Sequence, residues 1–383
     1  MTRRERLMTT LRGEPVDRPA VSFYEINGLD QDPDRDDPFN IYTHPSWRPL
    51  LELARDETDR IVMRGVPFNS THAGPIAAAT RRETVVQGSV RTVVERLKAG
   101  DRMLTRRTRR DRDVDTIWTV EHLLKSPDDV RAYLSLMNDR SGSSGRPDVA
   151  TVETEGVLRA EAELGDSGIV MIDTPDPLCM AASLFSMEDY TIIAMTERGL
   201  FGELLARLAE PLLERTRAVS AALPGRLWRI YGPEYASPPY LPPDLFREYV
   251  CRYVTPMVEA IHLHGGYARV HSHGNLRAIL DDIAATGADA LDPIEPPPQG
   301  DVELRYVRER HGRQLVLFGN LEASDLENLP PPVFAERIRR AIDEGTGGPG
   351  RGFVLMPSSC PYGRVLAPRA LANYEAMVEA VLS

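Results

Sequence analysis

The feature that most restricts the fold is a series of strand-like segments, each followed by a longer segment with helical spacing. Short apolar runs of this kind lie at residues 169–173, 227–231, 268–271, 290–294, 315–318 and 353–356. So many consecutive strand–helix units with short connections favour a parallel sheet, and their number favours closure over an open sheet. We therefore expect an α/β fold, a (β/α)8 TIM barrel.

The N-terminal third has a different pattern. Between residues 81 and 120, apolar and polar residues alternate with period two between turn signals, which predicts a small antiparallel β meander inserted before the main series. The stretch 141–146 is rich in Gly and Ser and resembles a linker, but it is too short to separate domains. We expect one barrel domain over residues 1–383, with 81–120 as an insertion.

Charge and cysteine usage exclude several classes of protein. The formal net charge of −11 argues against a nucleic-acid or anionic-membrane partner, and the basic run at residues 102–112 contains acids and is interpreted as a solvated hairpin face. Three scattered cysteines cannot form a disulfide framework, which favours a reducing cytoplasm. The sequence contains no run of roughly 18 apolar residues, so it predicts neither a membrane span nor an export signal.

The sequence A-R-V-H-S-H-G-N at residues 268–275 is the most informative local pattern. His271 and His273 are two residues apart at the end of an apolar run, so in extended backbone both imidazoles point to the same side. Gly274 then ends the strand, and Asn275 can cap the helix that follows. Paired histidines at the C-terminal end of a strand are typical of catalytic groups in parallel α/β enzymes.

Other predicted strands also end in residues that are costly to bury, which is typical of a functional mouth. The residues at these ends are Glu234, His271 with His273, Asp292 with Glu295, Asn320 with Glu322, and Ser358 with Ser359 and Cys360. The loop at residues 27–45 leaves the first predicted strand, residues 20–24, at the same end, and we expect it to cover the site.

One interpretation of this mouth is a zinc site, because nitrogen, sulfur and oxygen donors suit a tetrahedral zinc ion. Its four ligands would be Glu234, His271, His273 and Cys360. The alternative is that His271 bonds within the barrel, His273 binds a substrate carboxylate and Cys360 packs as a small apolar residue.

Three further groups of residues also have alternative or structural interpretations. Glu295 lies in a proline-stiffened loop, where it would orient the site, bind substrate or cap a helix at Asp301. His262 and His264 are expected at the surface near a helix C-terminus. The other two cysteines, at positions 179 and 251, lie in apolar helical surroundings and are interpreted as packing residues.

Several runs carry a resemblance to a known family. They are R-R-E-R at residues 3–6, L-R-G-E-P-V-D-R-P at 11–19, H-S-H-G-N at 271–275, G-A-D-A-L-D-P-I-E-P at 287–296 and L-F-G-N-L at 317–321. With these runs the chain resembles the uroporphyrinogen decarboxylase superfamily over nearly its whole length. The resemblance implies a (β/α)8 barrel but does not fix one reaction.

Two branches of this superfamily differ in chemistry. True uroporphyrinogen decarboxylases carry an arginine-rich substrate loop of the form R-Q-A-G-R near the N-terminus. In residues 24–37 this chain has Arg35 alone and five aspartates, which would repel a substrate with many carboxylates. Porphyrinogen decarboxylation is therefore disfavoured.

The other branch contains zinc-dependent methyltransferases that move methyl groups between a corrinoid protein and a thiol or related acceptor. Their metal motif is His-x-Cys followed much later by Cys, with an upstream acidic residue. His271, Cys360 and Glu234 match this motif, whereas His273 stands where the first cysteine is expected. Imidazole also binds zinc, so the resemblance implies a metal site with an altered ligand set.

The leading hypothesis from the sequence is a cytoplasmic zinc-dependent methyltransferase that uses a small-molecule acceptor and a corrinoid on a partner protein. Its catalytic residues would be Glu234, His271 and Glu295. The alternative is a metal-independent decarboxylase or lyase of a small carboxylate, with His271 or His273 as acid and Glu295 as orienter. A barrel that binds a ligand without turnover is a third class, and a homodimer is compatible with all three.

Overall fold

Eight parallel strands form a nearly closed barrel in the computed structural model, which describes residues 1–69, 76–138 and 150–382. Numbered β1 to β8 in chain order, they are Ala20–Val21, Arg60–Arg64, Gly168–Pro175, Leu227–Tyr231, Tyr267–Ser272, Ala290–Pro293, Val316–Leu321 and Phe353–Pro357. From β2 to β8 each strand pairs with the next in sequence, β8 pairs with β1, and the barrel is left open between β1 and β2. The predicted (β/α)8 TIM barrel is confirmed.

Asp59 bridges the seam between β1 and β2. Its backbone N–H donates to the carbonyl of Val21 at 2.7 Å, and its side chain accepts from the N–H of Val21 at 2.9 Å. The same carboxylate is fully buried and pairs with Arg6 and Arg18. A buried charge is tolerated here because both of its oxygens have charged partners.

Helices surround the barrel and follow most of its strands. Their bounds are Arg3–Arg12, Arg48–Glu57, Ile76–Ala79, Pro127–Asn138, Glu155–Leu164, Pro177–Ala182, Met187–Thr196, Arg198–Ala222, Pro243–Phe246, Arg252–His262, Leu280–Ala285, Leu304–His311, Ala323–Asn328, Pro331–Thr346 and Pro368–Leu382. A π-helical turn at Arg247–Cys251 joins Pro243–Phe246 to Arg252–His262. None of the described helices combines the length and apolar character needed to cross a membrane.

Alternation along each strand sorts its side chains between two apolar cores. Leu227 of β4 and Phe318 of β7 belong to a core inside the barrel, whereas Trp228 and Leu317, their neighbours in sequence, pack in the layer between barrel and helices. The first helix contributes Leu7 and Leu11 to the inner core, so it closes the N-terminal end of the barrel. The opposite, C-terminal end is left as the mouth.

The meander predicted for residues 81–120 is present as a four-stranded antiparallel sheet. Its strands are Thr80–Gln87, Val90–Ala99, Arg102–Asp111 and Ile117–Glu121. Leu97 and Leu104 of this sheet are buried in the same core as the outer barrel layer. The single-domain organisation stays a prediction, and the linker-like stretch 141–146 lies outside the described residues.

Two parts of the barrel were not predicted correctly. Strand β2 was missed, because its sequence R-I-V-M-R is a three-residue apolar run between charges. Strand β1 is shorter than the expected 20–24, because the chain turns at Tyr24, whose φ is +56°. Three helices between residues 155 and 196 were also not predicted.

Candidate active site at the barrel mouth

The two histidines of the H-S-H pattern lie together at the mouth, as the strand period predicts. His271 is the fifth residue of β5, and His273 follows just after the strand ends. Their ring centroids are 4.7 Å apart and the ring planes are nearly perpendicular, at 89°. His271 is buried, whereas His273 is partly exposed toward the mouth.

Asp292 fixes the orientation of His271. These residues are directly paired between β5 and β6, and the Nδ1–H of His271 donates to Asp292 Oδ2 at 2.8 Å. Burial opposes ionisation of Asp292, but the charges of Arg269 and His271 outweigh it and lower the pKa of Asp292 to about 2. The carboxylate therefore fixes the orientation of the ring, with Nδ1 bound to Asp292 and Nε2 facing Tyr24.

Tyr24 connects His271 to a buried ion pair. The Tyr24 hydroxyl lies 3.4 Å from Nε2 of His271 and accepts a hydrogen bond from Arg229 at 2.7 Å. Arg229 in turn forms a two-pronged pair with Asp173, at 2.7 and 3.1 Å. Burial is the main reason why the pKa of Tyr24 is well above its usual value, so Tyr24 remains a neutral phenol that can donate to His271.

Glu295 orients His273. The Nδ1–H of His273 donates to Glu295 Oε1 at 2.8 Å, and the other carboxylate oxygen accepts from the N–H of Gly274 at 2.8 Å. Burial opposes the charged form of His273, but the hydrogen bond and charge of Glu295 and the charge of Glu234 outweigh it and raise the pKa of His273. Glu295 therefore favours the imidazolium form of His273 and fixes the orientation of its ring.

Glu234 lies at the rim but bonds to its own loop. Its Oε2 accepts from the N–H of Gly232 at 3.0 Å. Burial first, and then the nearby charge of Glu234, raises the pKa of Asp176 well above its usual value. Cys179, which was interpreted as packing in a helix, borders this acidic group: its N–H donates to Asp176 at 2.6 Å.

The thiol of Cys360 bonds to Glu25 rather than to an imidazole. Its sulfur lies 3.7 Å from Glu25 Oε2. Burial, and then the charge of Glu25, raises the pKa of this thiol well above its usual value. A protonated thiol next to a carboxylate differs from the thiolate that a zinc ion requires.

The predicted zinc set is not assembled. Within residues 1–69, 76–138 and 150–382, no group of three or more His, Cys, Asp or Glu side chains is placed to hold a metal ion. The imidazole orientation itself would suit a metal, because metal-bound histidines also donate their second N–H to carboxylates. The strand ends bring these backbones to one rim, but the donors of the predicted set of Glu234, His271, His273 and Cys360 have different partners. Cys360 contacts Glu25, Glu234 accepts from Gly232, and the two imidazoles contact each other.

Glu322 adds an acidic group to the same mouth. It is 7% exposed, and its Oε1 has no hydrogen-bond partner. Burial first, and then the charge of Glu295, raises the pKa of Glu322 to about 7. The sequence placed Glu322 at a strand end, but its titration near neutrality depends on neighbours that only the fold defines.

Two site residues that were not predicted have a recognisable pattern in the sequence. Arg229 and Arg269 stand in the middle of otherwise apolar strands, in step with Leu227 and His271 on the inward face. A charged residue at an inward position requires a buried partner, which for Arg269 is Asp292 at 3.0 Å. Tyr24 offered no comparable signal, because it lies beyond the regular part of β1.

The family model for uroporphyrinogen decarboxylase matches residues 157–383, more than half of the chain. The chain belongs to the uroporphyrinogen decarboxylase family. The matched part contains β3 to β8 and therefore both histidine–carboxylate pairs. No curated protein matches the chain significantly.

Solved structures support the same fold. A methyltransferase from Methanosarcina mazei is similar with a TM-score of 0.60 and 18% identity, over 99% of this chain and 98% of that one. A D-psicose 3-epimerase is similar with a TM-score of 0.31 and 9% identity, over 60% of this chain and 82% of that one. At these identities the first likeness establishes the fold alone, and the second carries no argument.

Proposed function

We propose that this member of the family is a methyltransferase in which an imidazole base activates a small acceptor. The observation that carries the proposal is His271, whose Nδ1–H is bound to Asp292 at 2.8 Å and whose Nε2 is left as a base. The full-length likeness to the Methanosarcina mazei methyltransferase supports the choice of reaction. The acceptor's proton passes to Nε2 of His271, and its freed electron pair forms the bond to the incoming methyl group.

The donor belongs to a partner protein in this proposal. A methylated corrinoid bound to that partner supplies an electrophilic methyl group and retains the electron pair of the bond that breaks. The residues of this chain bind the acceptor, orient it and take its proton. A cytoplasmic location and self-association as a homodimer accompany this proposal as predictions from the sequence.

The charge of the mouth supports a neutral or cationic substrate over one with many carboxylates. Glu25, Glu234 and Glu295 contribute negative charge near the rim, and each influences a neighbouring site residue. The arginines that face inward are already paired, Arg229 with Asp173 and Arg269 with Asp292. Like charges would oppose the binding of a polycarboxylate at such a mouth.

The sequence predicted that a zinc ion activates the acceptor. The donor side chains of the described residues do not fit such a zinc site. Zinc in catalytic sites takes three protein ligands, whereas the residues that the structure describes place no third donor beside the two imidazoles. Deprotonation by His271 supplies the same activated acceptor without a metal. No step of the proposed reaction therefore passes through zinc.

A second candidate is a metal-independent decarboxylase or lyase of a small carboxylate. It is favoured by two acids at the mouth, the protonated His273 and Glu322, whose pKa is raised to about 7 by burial and by the charge of Glu295. Loss of CO2 leaves a carbanion that needs a proton, and an acid that titrates near neutrality can deliver it. This candidate needs one carboxylate on the substrate, not many.

The test is a methyl-transfer assay with free methylcobalamin and three acceptor classes: a thiol, a phenol and an amine. We expect acceptor-dependent demethylation, followed by the corrinoid absorbance, that persists in EDTA and falls at least about 100-fold in His271→Gln. His264→Gln, outside the mouth, is the matched control. Demethylation that EDTA abolishes would contradict the imidazole mechanism. Absence of methyl transfer together with CO2 release from small carboxylates would replace it by the second candidate.

A further inference from the structure

The antiparallel meander has a cationic cleft on the face that turns toward the rim of the barrel. The cleft has a volume of about 440 Å3 and is lined by residues of all four strands, and two of its arginines, Arg91 and Arg110, contact the loop before the helix at Arg48–Glu57. Further along the same face, Leu97 and Leu104 are buried in the core. The guanidinium groups that line the cleft are those of Arg82, Arg91, Arg106 and Arg110.

Inside the cleft, one carboxylate is shared by two of these four cations. Glu95 is the acidic side chain among the described lining residues. Arg82 and Arg106 share it from 3.7 and 3.6 Å, which is longer than a direct hydrogen bond. The Nε atoms of Arg106 and Arg110 are buried without any hydrogen-bond partner. Unpaired buried donors of this kind are costly unless a ligand satisfies them.

The rim loop holds two of the arginines in place. Arg91 lies over the ring of Phe39 at 4.0 Å and pairs with Asp37 at 3.2 Å. Arg110 donates to the carbonyl of Phe39 at 2.8 Å and pairs with Asp115. Fixed guanidinium groups lose little freedom when they bind an anion. The cleft is therefore preorganised on the side that faces the rim.

The meander also differs in charge from the rest of the chain. Residues 80–121 carry eleven Lys or Arg against seven Asp or Glu, a net charge of +4, in a chain whose formal net charge is −11. A sheet face that only interacts with solvent does not need to gather cations on its enclosed side. The volume suits a small molecule, since ligand pockets typically span roughly 300–1,000 Å3.

We propose that this cleft binds a small anionic ligand, one that bears phosphate or carboxylate groups. The planar guanidinium fork suits either group, and the free Nε donors of Arg106 and Arg110 supply the hydrogen bonds. This site is separate from the histidine pairs of the mouth and does not depend on the reaction proposed for them.

The chain contains a matched control on the same strand. Alternation places Arg106 and Arg110 on the cleft face and Arg107 and Arg109 on the opposite face of Arg102–Asp111. Arg109 is exposed and already bonded to Asp111 at 2.8 Å. Replacing Arg109 removes the same charge from the same strand without touching the cleft.

The experiment is calorimetric titration of the full chain with inorganic pyrophosphate at low ionic strength, with citrate as the second probe. We expect one site per chain for at least one probe, weakened at least about tenfold by Arg106→Ala and by Arg82→Ala, and changed less than about twofold by Arg109→Ala. The tighter probe then identifies phosphate or carboxylate as the preferred group. Arg82 is 67% exposed at its side chain, so Arg82→Ala tests the site even if Arg106→Ala unfolds.

Two results would overturn the proposal. One is that neither pyrophosphate nor citrate binds at low salt. The other is that Arg109→Ala weakens binding as much as Arg106→Ala or Arg82→Ala, which would mean that net charge rather than the cleft attracts the anion.

Discussion

Nδ1 of His271 lies 2.8 Å from Oδ2 of Asp292 across the paired strands β5 and β6, with Asp292 fully buried. The parallel register fixes this contact, because residues paired on neighbouring strands project to the same side. The other Asp292 oxygen lies 3.0 Å from Nε of Arg269. One carboxylate therefore orients the proposed base and neutralises a buried guanidinium.

Replacing Asp292 by Asn should destabilise the fold strongly. The change keeps the shape but leaves Arg269, 1% exposed, without a counter-charge, and breaking a buried pair typically costs about 3–5 kcal/mol. Urea unfolding at pH 7 measures the loss. The matched change Asp281→Asn, at an exposed pair with Arg310, should cost less than about 1 kcal/mol. Equal losses in both variants would contradict the buried-pair assignment.

Ionisation of Asp292 should make the free energy of unfolding depend on pH in the acidic range. The pKa of Asp292 is lowered to about 2 from the model-peptide value of 3.8, because the charges of Arg269 and His271 outweigh the opposing effect of burial. The ionised form is thus favoured in the folded state, and its contribution is present above about pH 4 and lost as the pH falls toward 2. Unfolding free energies between pH 5 and pH 2.5 should fall less steeply in Asp292→Asn than in the unmodified chain. Parallel curves would contradict a lowered pKa.

Replacing Glu295 by Gln should lower the pKa of His273. The amide oxygen can still accept the Nδ1–H, but the carboxylate charge that favours the imidazolium is lost. NMR titration of the imidazole should show the pKa of His273 above its ordinary value of 6.5 in the unmodified chain and lower in Glu295→Gln than in the unmodified chain. Glu303→Gln, at a surface pair with Arg340, is the control that should leave it unchanged. An unaltered titration in Glu295→Gln would rule out this pair.

The sequence predicted the barrel because periodicity and turn signals are local. Strand β4 at Leu227–Tyr231 was predicted with its observed bounds, and the inward pairing of His271 with His273 follows from period two alone. Strand β2 was not predicted, because three apolar residues between two arginines are too short a run to show a period of two. Local rules thus predicted the elements wherever the apolar run was long enough.

The zinc hypothesis was not supported, for a physical reason. A strand end gives the position of a backbone but not the direction of a side chain in the loop beyond it, and the Cys360 thiol turns to Glu25. The partners of His271 and His273 were equally invisible, because Asp292 and Glu295 become neighbours only through the register of β5 against β6. Contacts between strands depend on the fold, and they cannot be predicted from residue spacing within one strand.

Metal analysis of protein purified without a histidine tag should find well under one zinc per chain, because the described residues offer no third ligand beside the two imidazoles. Inductively coupled plasma mass spectrometry on the dialysed chain measures this. About one zinc per chain, lost in His273→Ala and retained in His264→Ala, would restore the four-ligand hypothesis.

The last prediction concerns Glu322, which is 7% exposed and whose pKa is raised to about 7 by burial and by the charge of Glu295. The folded state then holds its proton where the unfolded chain has already ionised, so stability falls as the pH rises from about 4.5 to 7. Gln cannot ionise, and Glu322→Gln should therefore be more stable than the unmodified chain at pH 8 by about 1–3 kcal/mol, at about 1.4 kcal/mol per unit of pKa.

At pH 4.5 the two proteins should have similar unfolding free energies, since a protonated carboxyl and an amide are alike in charge. Urea unfolding gives the change in unfolding free energy that Glu322→Gln causes at each pH. Subtracting the change at pH 4.5 from the change at pH 8 cancels effects shared by other groups. Glu303→Gln, at a side chain that is 42% exposed and paired with Arg340, should show no such dependence. If Glu322→Gln changes stability by the same amount at pH 4.5 and pH 8, Glu322 is ionised at neutral pH like any solvated glutamate, and it could not serve as the acid of the second candidate reaction.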